Sequence, residues 1–358
     1  MKAITIDDEN DGPVLRDVQP PVCDADEARV HVVRVGIDGT DRELVYGDYS
    51  DYPEGDDYLI TGHESIGVVE ATGDSVTSLE KGDLVVATVR RPGHCVNCQA
   101  GQQDMCLEGD YTERGIQGAH GYLRPYYTEK EDFLVKLPDT LGLDGVFLEP
   151  TSIAKKAIRR AYEARSHHRW EPRQALVTGG GTLGILTAAL LRLRGLDVAI
   201  TDLEPSEKKQ DVFERLGLTW FDAANTELHD VPGELGQQVD LIIESTGSST
   251  VAMHTMSVVG TNGVSVLLSV TPGDDEVELC AACLNQGLVL ENKEIIGSVN
   301  AHPDDFQTGV SDLLAAKQRW QGFPNNLITS TYDLDSFEEA VDTLDDNIKT
   351  VIQVSDYI

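Results

Sequence analysis

The chain has 358 residues, 62 of them Asp or Glu against 28 Lys or Arg, for a formal net charge of −34. That length holds two domains with cores of their own, and 40% hydrophobic content argues for a folded protein rather than an acidic disordered one. The charge repels nucleic acid and anionic membranes, so neither is an expected partner.

Self-repulsion on this scale is relieved at roughly 1 M salt, where the Debye length falls to about 3 Å, so a salt-adapted cytoplasm is expected. Met1-Lys2-Ala3-Ile4-Thr5 runs into Asp7-Asp8-Glu9, which does not read as a signal peptide. No stretch reaches the roughly 20 apolar residues that cross a bilayer. Six cysteines do not make a disulfide scaffold, and in a reducing compartment a clustered set more often holds metal.

Residues 1 to about 150 read as short strands, 28–35 and 65–71 among them. Gly12-Pro13, Gly73-Asp74, Lys81-Gly82-Asp83 and Arg91-Pro92-Gly93 supply the turns. Helical periodicity is weak, and an irregular β domain with functional loops is expected. A helix is predicted over 151–165 and a break over 167–172. A strand at 175–178, a helix at 183–194, a strand at 197–202 and a helix at 206–216 follow, with Ser206 as N-cap. Strands are also predicted over 239–245, 264–270 and 294–300. This alternation predicts an α/β fold with a doubly wound parallel sheet. The tail, 303–358, reads as amphipathic helices and a short strand at 350–354.

Gly179-Gly180-Gly181-Thr182-Leu183-Gly184 follows the 175–178 strand and opens the next helix. The tight turn needs Gly179, close approach to a pyrophosphate needs Gly181, and helix–strand packing needs Gly184. The pyrophosphate would meet free N–H groups at the helix N-terminus. Asp202, at the end of the second strand, can accept hydrogen bonds from the adenosine ribose and repels a 2′-phosphate, which favours NAD. Lys208 and Lys209 could attract that phosphate and permit NADP, although a solvated helix face explains them better. Thr246-Gly247 is a candidate wall of the nicotinamide end.

A metal needs lone pairs converging from separate segments. Asp38, His63, Glu64 and Glu149 could supply them, from Asp38-Gly39-Thr40-Asp41, Gly62-His63-Glu64 and Leu148-Glu149-Pro150. A Lewis acid beside a hydride carrier implies alcohol oxidation. Cys95, Cys98 and Cys106 offer three thiolates on one Gly- and Gln-rich loop, one short of the four ligands that structural zinc takes. Either Asp110, Glu108 or Asp104 completes the shell, Asp110 being taken here as the fourth ligand, or the lobe carries no metal. Cys280-Ala281-Ala282-Cys283 lies between apolar residues, and its thiols are expected to pack in a helix turn. Cys23 has no assigned role.

Gly62-His63-Glu64-Ser65-Ile66-Gly67 through Gly73, with Lys81-Gly82-Asp83-Leu84-Val85, resembles the zinc signature of the medium-chain alcohol dehydrogenases. Val89-Arg90-Arg91-Pro92-Gly93, Glu113-Arg114-Gly115-Ile116, Gly118-Ala119-His120-Gly121-Tyr122 and Gly297-Ser298-Val299-Asn300-Ala301-His302 resemble the archaeal-type glucose 1-dehydrogenases. The resemblance implies a GroES-like catalytic domain over 1–150, with 303–358 packing back on it. It also implies a Rossmann dinucleotide-binding domain over 151–302. The implied zinc ligands are Asp38, His63 and Glu149, with Glu64 exchanging with water, and Thr40 relays the substrate proton. The implied sugar contacts are Thr40, Glu113, Glu149, Asn300 and His302, and Asn300 also serves the cofactor. For Arg90 a surface charge and a substrate contact stand level.

Two departures carry consequences. Most of the superfamily has Cys where this chain has Asp38, and a carboxylate is the harder ligand, expected to loosen zinc. The superfamily lobe has a Cys three residues before Cys95, where this chain has Pro92. The expected reaction is oxidation of D-glucose at C1 to gluconolactone with NAD or NADP as acceptor, in a homodimer or homotetramer. The competing readings are a zinc dehydrogenase of another aldose, polyol or amino-alcohol, and a zinc-less quinone-reductase-like Rossmann protein.

Overall fold

The computed structural model describes residues 1–47, 51–271 and 276–356. The chain divides into two units, the first holding 1–152, 300–317 and 322–358, the second 153–299 and 318–321.

The first unit is built on the long strand Glu27–Ile37, whose buried positions are Ala28, Val30, Val32, Val33, Val35, Gly36 and Ile37. Glu64–Thr72 and Lys349–Gln353 flank it antiparallel, and Tyr126–Lys130 also pairs with it. The sheet runs Leu134–Lys136, Leu84–Ala87, Glu64–Thr72, Glu27–Ile37, Lys349–Gln353, Ile328–Asp333. Two three-stranded sheets complete the β framework, one of them joining Arg90–Arg91, Thr112–Arg114 and Gly118–Ala119. Val30, Val32, Val35, Leu59, Tyr122, Tyr127, Phe337 and Ile352 meet in one core.

Among the helices of this unit that escaped the periodicity reading is Gly39–Tyr46. It is set by capping rather than by an apolar stripe. Asp38 accepts the Thr40 N–H, and Asp41 reaches back to the Asp38 N–H.

The second unit is a six-stranded all-parallel sheet in the order Thr219–Asp222, Asp197–Asp202, Gln174–Thr178, Leu241–Glu244, Val264–Leu267, Glu294–Gly297. This 3-2-1-4-5-6 order defines the doubly wound dinucleotide-binding architecture. The central strands, Gln174–Thr178 and Leu241–Glu244, are buried at every position, which is why they read as short apolar runs. Ser206 caps Glu207–Leu216 as expected, accepting the Lys209 N–H. Among the described residues no helix is long and apolar enough to cross a membrane.

One expectation is overturned here. Cys280 and Cys283 are not thiols in an apolar turn but form a disulfide, exposed at the start of Ala281–Leu290. The apolar neighbours misled, because the described residues of that helix are not buried.

Candidate metal and dinucleotide sites

Asp38, His63 and Glu64 each offer a ligand atom within 4.8 Å of the other two. Three elements bring them together. Asp38 caps the Gly39–Tyr46 helix, His63 follows the positive-φ turn at Gly62, and Glu64 opens a core strand. His63 Nε2 lies 3.8 Å from Asp38 Oδ2, and His63 Nδ1 lies 3.8 Å from Asp41 Oδ2. Both are ion-pair separations, longer than hydrogen bonds. His63 Nδ1 and Asp41 Oδ1 are buried without a hydrogen-bond partner.

The electrostatics are those of a site assembled for a cation. Burial opposes charge on His63, yet Asp38 and Asp41 hold its ring well above the ordinary imidazole range. Burial also opposes Asp38, but the His63 imidazolium, then Lys349 and the Thr40 N–H, hold its carboxyl well below the usual range. Glu149 opens the helix Leu148–Ala164 and is buried, and burial pushes its carboxyl up to about 8 in the field of His63, Glu64 and Asp38. Burial raises Glu64 as well, against the pull of Lys349. One imidazole and several carboxylates, gathered with orphaned polar atoms at His63 and Asp41, form a donor set that suits zinc.

Two residues of this centre were missed in the sequence. Asp41 faces the far nitrogen of His63 and can orient the ring, the outer-shell role common around metal-binding histidines. Its only signal was the capping-box spacing to Asp38. Lys349, far away in the chain, is buried against Glu64 and left no local signal at all.

Glu113 and Asn300 meet, with Asn300 Nδ2 donating to Glu113 Oε1 at 2.7 Å. Arg90 is not a surface charge. It is buried, ion-pairs with Glu113 at 2.9 Å and lies over the Tyr111 ring. His302 sits at the start of Pro303–Arg319, where its Nδ1 accepts the Asp304 N–H. Thr40 is half-buried in the first turn after Asp38.

The cysteine lobe gathers three sulfurs within 4.8 Å of one another. Cys106 Sγ donates to Asp110 Oδ1 at 3.4 Å, and Asp110 Oδ2 accepts the His94 N–H. Backbone N–H groups of Leu107 and Cys98 bring Cys95 down to about 7, whereas burial and the neighbouring thiols push Cys98 up to about 12. A side chain at Gly93 would run into the Asp110 carboxyl, so this carboxyl fills the space on that side of the lobe.

In the second unit the Gly-rich turn follows strand Gln174–Thr178. Gly179 has φ 98°, a left-handed conformation that glycine adopts without strain. A Cβ at Gly181 would meet open space, leaving room for a ligand against the backbone, whereas one at Gly184 would strike Gly179 O. Helix Thr182–Leu193, containing Thr182 and Leu183, starts there. Asp202 Oδ1 accepts the Gly180 N–H at 3.0 Å, and its Oδ2 ion-pairs with Lys209 at 2.6 Å. Lys209 is therefore the partner of Asp202 rather than part of a solvated helix face, while Lys208 is exposed. Thr246 bonds through N and Oγ1 to Glu244, and Gly247 N donates to Ser269 Oγ.

This fold and this donor set define an alcohol-dehydrogenase-type chain. Residues 24–139 match the alcohol dehydrogenase GroES-like domain, and residues 143–354 match the glucose dehydrogenase C-terminus. The chain belongs to the glucose dehydrogenase family of the medium-chain alcohol dehydrogenases. The glucose 1-dehydrogenase of Methanocella arvoryzae is 37% identical over 358 residues, with 99% of each chain covered. That of Haloferax mediterranei is 38% identical over 362 residues, again with 99% of each covered. The structure of Haloferax mediterranei glucose dehydrogenase in complex with NADP, Zn and gluconolactone superposes with TM-score 0.91, at 38% identity over 100% of both chains.

Proposed function

We propose that this protein oxidises D-glucose at C1 to gluconolactone, with zinc held by Asp38, His63 and Glu149, Glu64 at hand, and NAD(P)+ as acceptor. Residues 1–150 and 303–358 act as the catalytic domain and 151–302 as the dinucleotide-binding domain. The observation that carries the reading is the convergence of a half-buried Asp38 with the buried His63 and Glu64, in a chain alike over its whole length to glucose 1-dehydrogenases. When bound, zinc supplies the Lewis acidity that lowers a hydroxyl's pKa, and the nicotinamide supplies the place for the hydride.

The chain's own residues do the rest. Asp41 fixes the His63 ring, and Thr40 relays the proton leaving the sugar hydroxyl, giving up its own hydroxyl proton toward solvent or an acidic neighbour as it accepts the new one. Glu113, aimed by Arg90 and Asn300, accepts hydrogen bonds from sugar hydroxyls, with Glu149 and His302 as further contacts. An analogue that lacks a hydroxyl leaves such buried groups unpaired and is rejected. Gly179, Gly181, Thr182, Leu183 and Gly184 hold the pyrophosphate, with Thr246, Gly247 and Asn300 nearer the nicotinamide. Asp202 binds the ribose and favours NAD, while Lys209 softens its repulsion of a 2′-phosphate, so NADP is also accepted. Cys95, Cys98, Cys106 and Asp110 hold a second, structural zinc. Val289 and Leu290, exposed on the helix before the sheet-edge strand Glu294–Gly297, mark the face on which a homodimer or homotetramer assembles. The enzyme works in a salt-rich cytoplasm.

Kinetics with glucose, galactose and xylose against both cofactors test the reading, alongside metal analysis of the same preparation. Glucose is expected to lead in kcat/KM, with two zinc ions per subunit. Another aldose, polyol or amino-alcohol in the lead would replace the substrate. A zinc-free, inactive protein would return the quinone-reductase-like reading. Asp202→Gly is expected to shift the kcat/KM ratio toward NADP by roughly tenfold, about the 1.4 kcal/mol of one charged contact.

A further inference from the structure

Strand register explains an ion pair that sequence distance hides. Glu64 lies opposite Gly36 on one side of the Glu27–Ile37 strand, and Thr350 lies opposite Ile37 on the other. Glu64 and Lys349 therefore come from the two flanking strands and meet over Gly36. A side chain at Gly36 would occupy the space of the Glu64 carboxyl and the Lys349 stem, so the missing Cβ is what lets them touch. Both side chains are 1% exposed, and Lys349 Nζ also donates to Ile37 O at 3.1 Å, which pins the ammonium. The cations that act on Asp38, Glu64 and Glu149 alike are His63 and Lys349.

Glu64 thus has two claimants, the ion held by Asp38 and His63, and a fixed ammonium on its other side. We infer that Lys349 is a positioning residue that draws Glu64 off the metal, leaving a coordination position open for the sugar. The inference rests on the proposed metal centre and deepens it. Where Lys349 holds Glu64, the ion has too few protein ligands to be closed, as a catalytic centre requires. Without the ammonium, the buried Glu64 carboxylate has the ion as its remaining partner and becomes a resident ligand. The site then binds metal more tightly and substrate less well.

The test uses the full-length protein loaded with Co²⁺, read by chelator competition for affinity and by visible absorption for coordination number. Lys349→Met is expected to raise Co²⁺ affinity at least tenfold, shift the absorption toward a higher coordination number and raise KM for glucose more than it lowers kcat. Lys349→Met combined with Glu64→Gln is expected to return the affinity to the native level, and Lys349→Arg to keep native behaviour. In the native background Glu64→Gln is expected to leave affinity within threefold, a readout that stands even if Lys349→Met does not fold. Unchanged or weaker affinity in folded Lys349→Met overturns the inference, as does a tenfold loss in Glu64→Gln. Native protein that takes up no Co²⁺ removes the metal centre itself and the inference with it, an outcome distinct from the other two.

Discussion

At position 38 one carboxylate serves two neighbours, with Oδ1 accepting the Thr40 N–H at 2.8 Å and Oδ2 facing His63 Nε2. Asn can keep the first contact but not the charge of the second, whereas Ala keeps neither. Asp38→Asn is therefore expected to lose zinc at least tenfold faster to a chelator with little change in Tm. Asp38→Ala should lose zinc similarly and also about 1 kcal/mol of stability, the usual worth of an N-cap. Equal thermal loss in the two variants would dismiss the capping role. A second residue carries a pH dependence. Burial, then the Arg124 charge, brings His120 down to about 4, despite Asp56 at 3.1 Å, while its Nδ1 accepts the Ile60 N–H. A histidine with a depressed folded pKa binds fewer protons folded than unfolded. The stability it contributes is complete above the unfolded value near 6.5 and is lost as pH falls toward 4. Urea titrations across that window should show stability rising with pH, and a flatter slope in His120→Asn.

Among the elements, the Glu27–Ile37 strand matters most, because the proposed metal centre is assembled around it. Gly36 leaves space that two other strands fill, so Gly36→Ala has no conformational fault of its own but a steric one. It is expected to destabilise the protein by about 1–3 kcal/mol, as overpacking does, and to release zinc. Calorimetry and metal content check this together, and a stable, fully loaded Gly36→Ala would contradict the packing described. In the second unit, the six parallel strands present the Gly-rich turn at the carboxyl end of the central strand, where helix Thr182–Leu193 begins, the kind of helix start that suits an anion.

At the scale of the whole molecule, the net charge of −34 dominates. In dilute buffer unscreened repulsion among 62 carboxylates opposes the compact state. Raising NaCl from about 0.1 to about 2 M shortens the Debye length from about 10 Å to under about 3 Å. Tm is therefore expected to rise by roughly 10 °C or more across that range, and activity to fall on dialysis into low salt. A Tm insensitive to salt would refute the proposed adaptation.

The parallel sheet was legible because its central strands are buried on both faces, so burial wrote apolar runs such as 175–178 straight into the chain. The Gly-rich turn was legible for a like reason, since Gly179 and Gly184 meet steric demands that few residues satisfy. His63 and Glu64 stood out because adjacent residues on a glycine turn form a local pattern. What required the tertiary structure was everything set by register and by exposure. Lys349 reaches Glu64 only because two strands flank the same glycine, and Arg90, which the sequence left open between a surface charge and a substrate contact, becomes a buried partner of Glu113 by the pairing of two short strands. The Cys280–Cys283 bond and the bare helix beside it eluded the sequence because apolar residues look alike whether a neighbour covers them or not. Local sterics and burial act along the chain and can be read there, whereas pairing between distant strands exists only once the chain has folded.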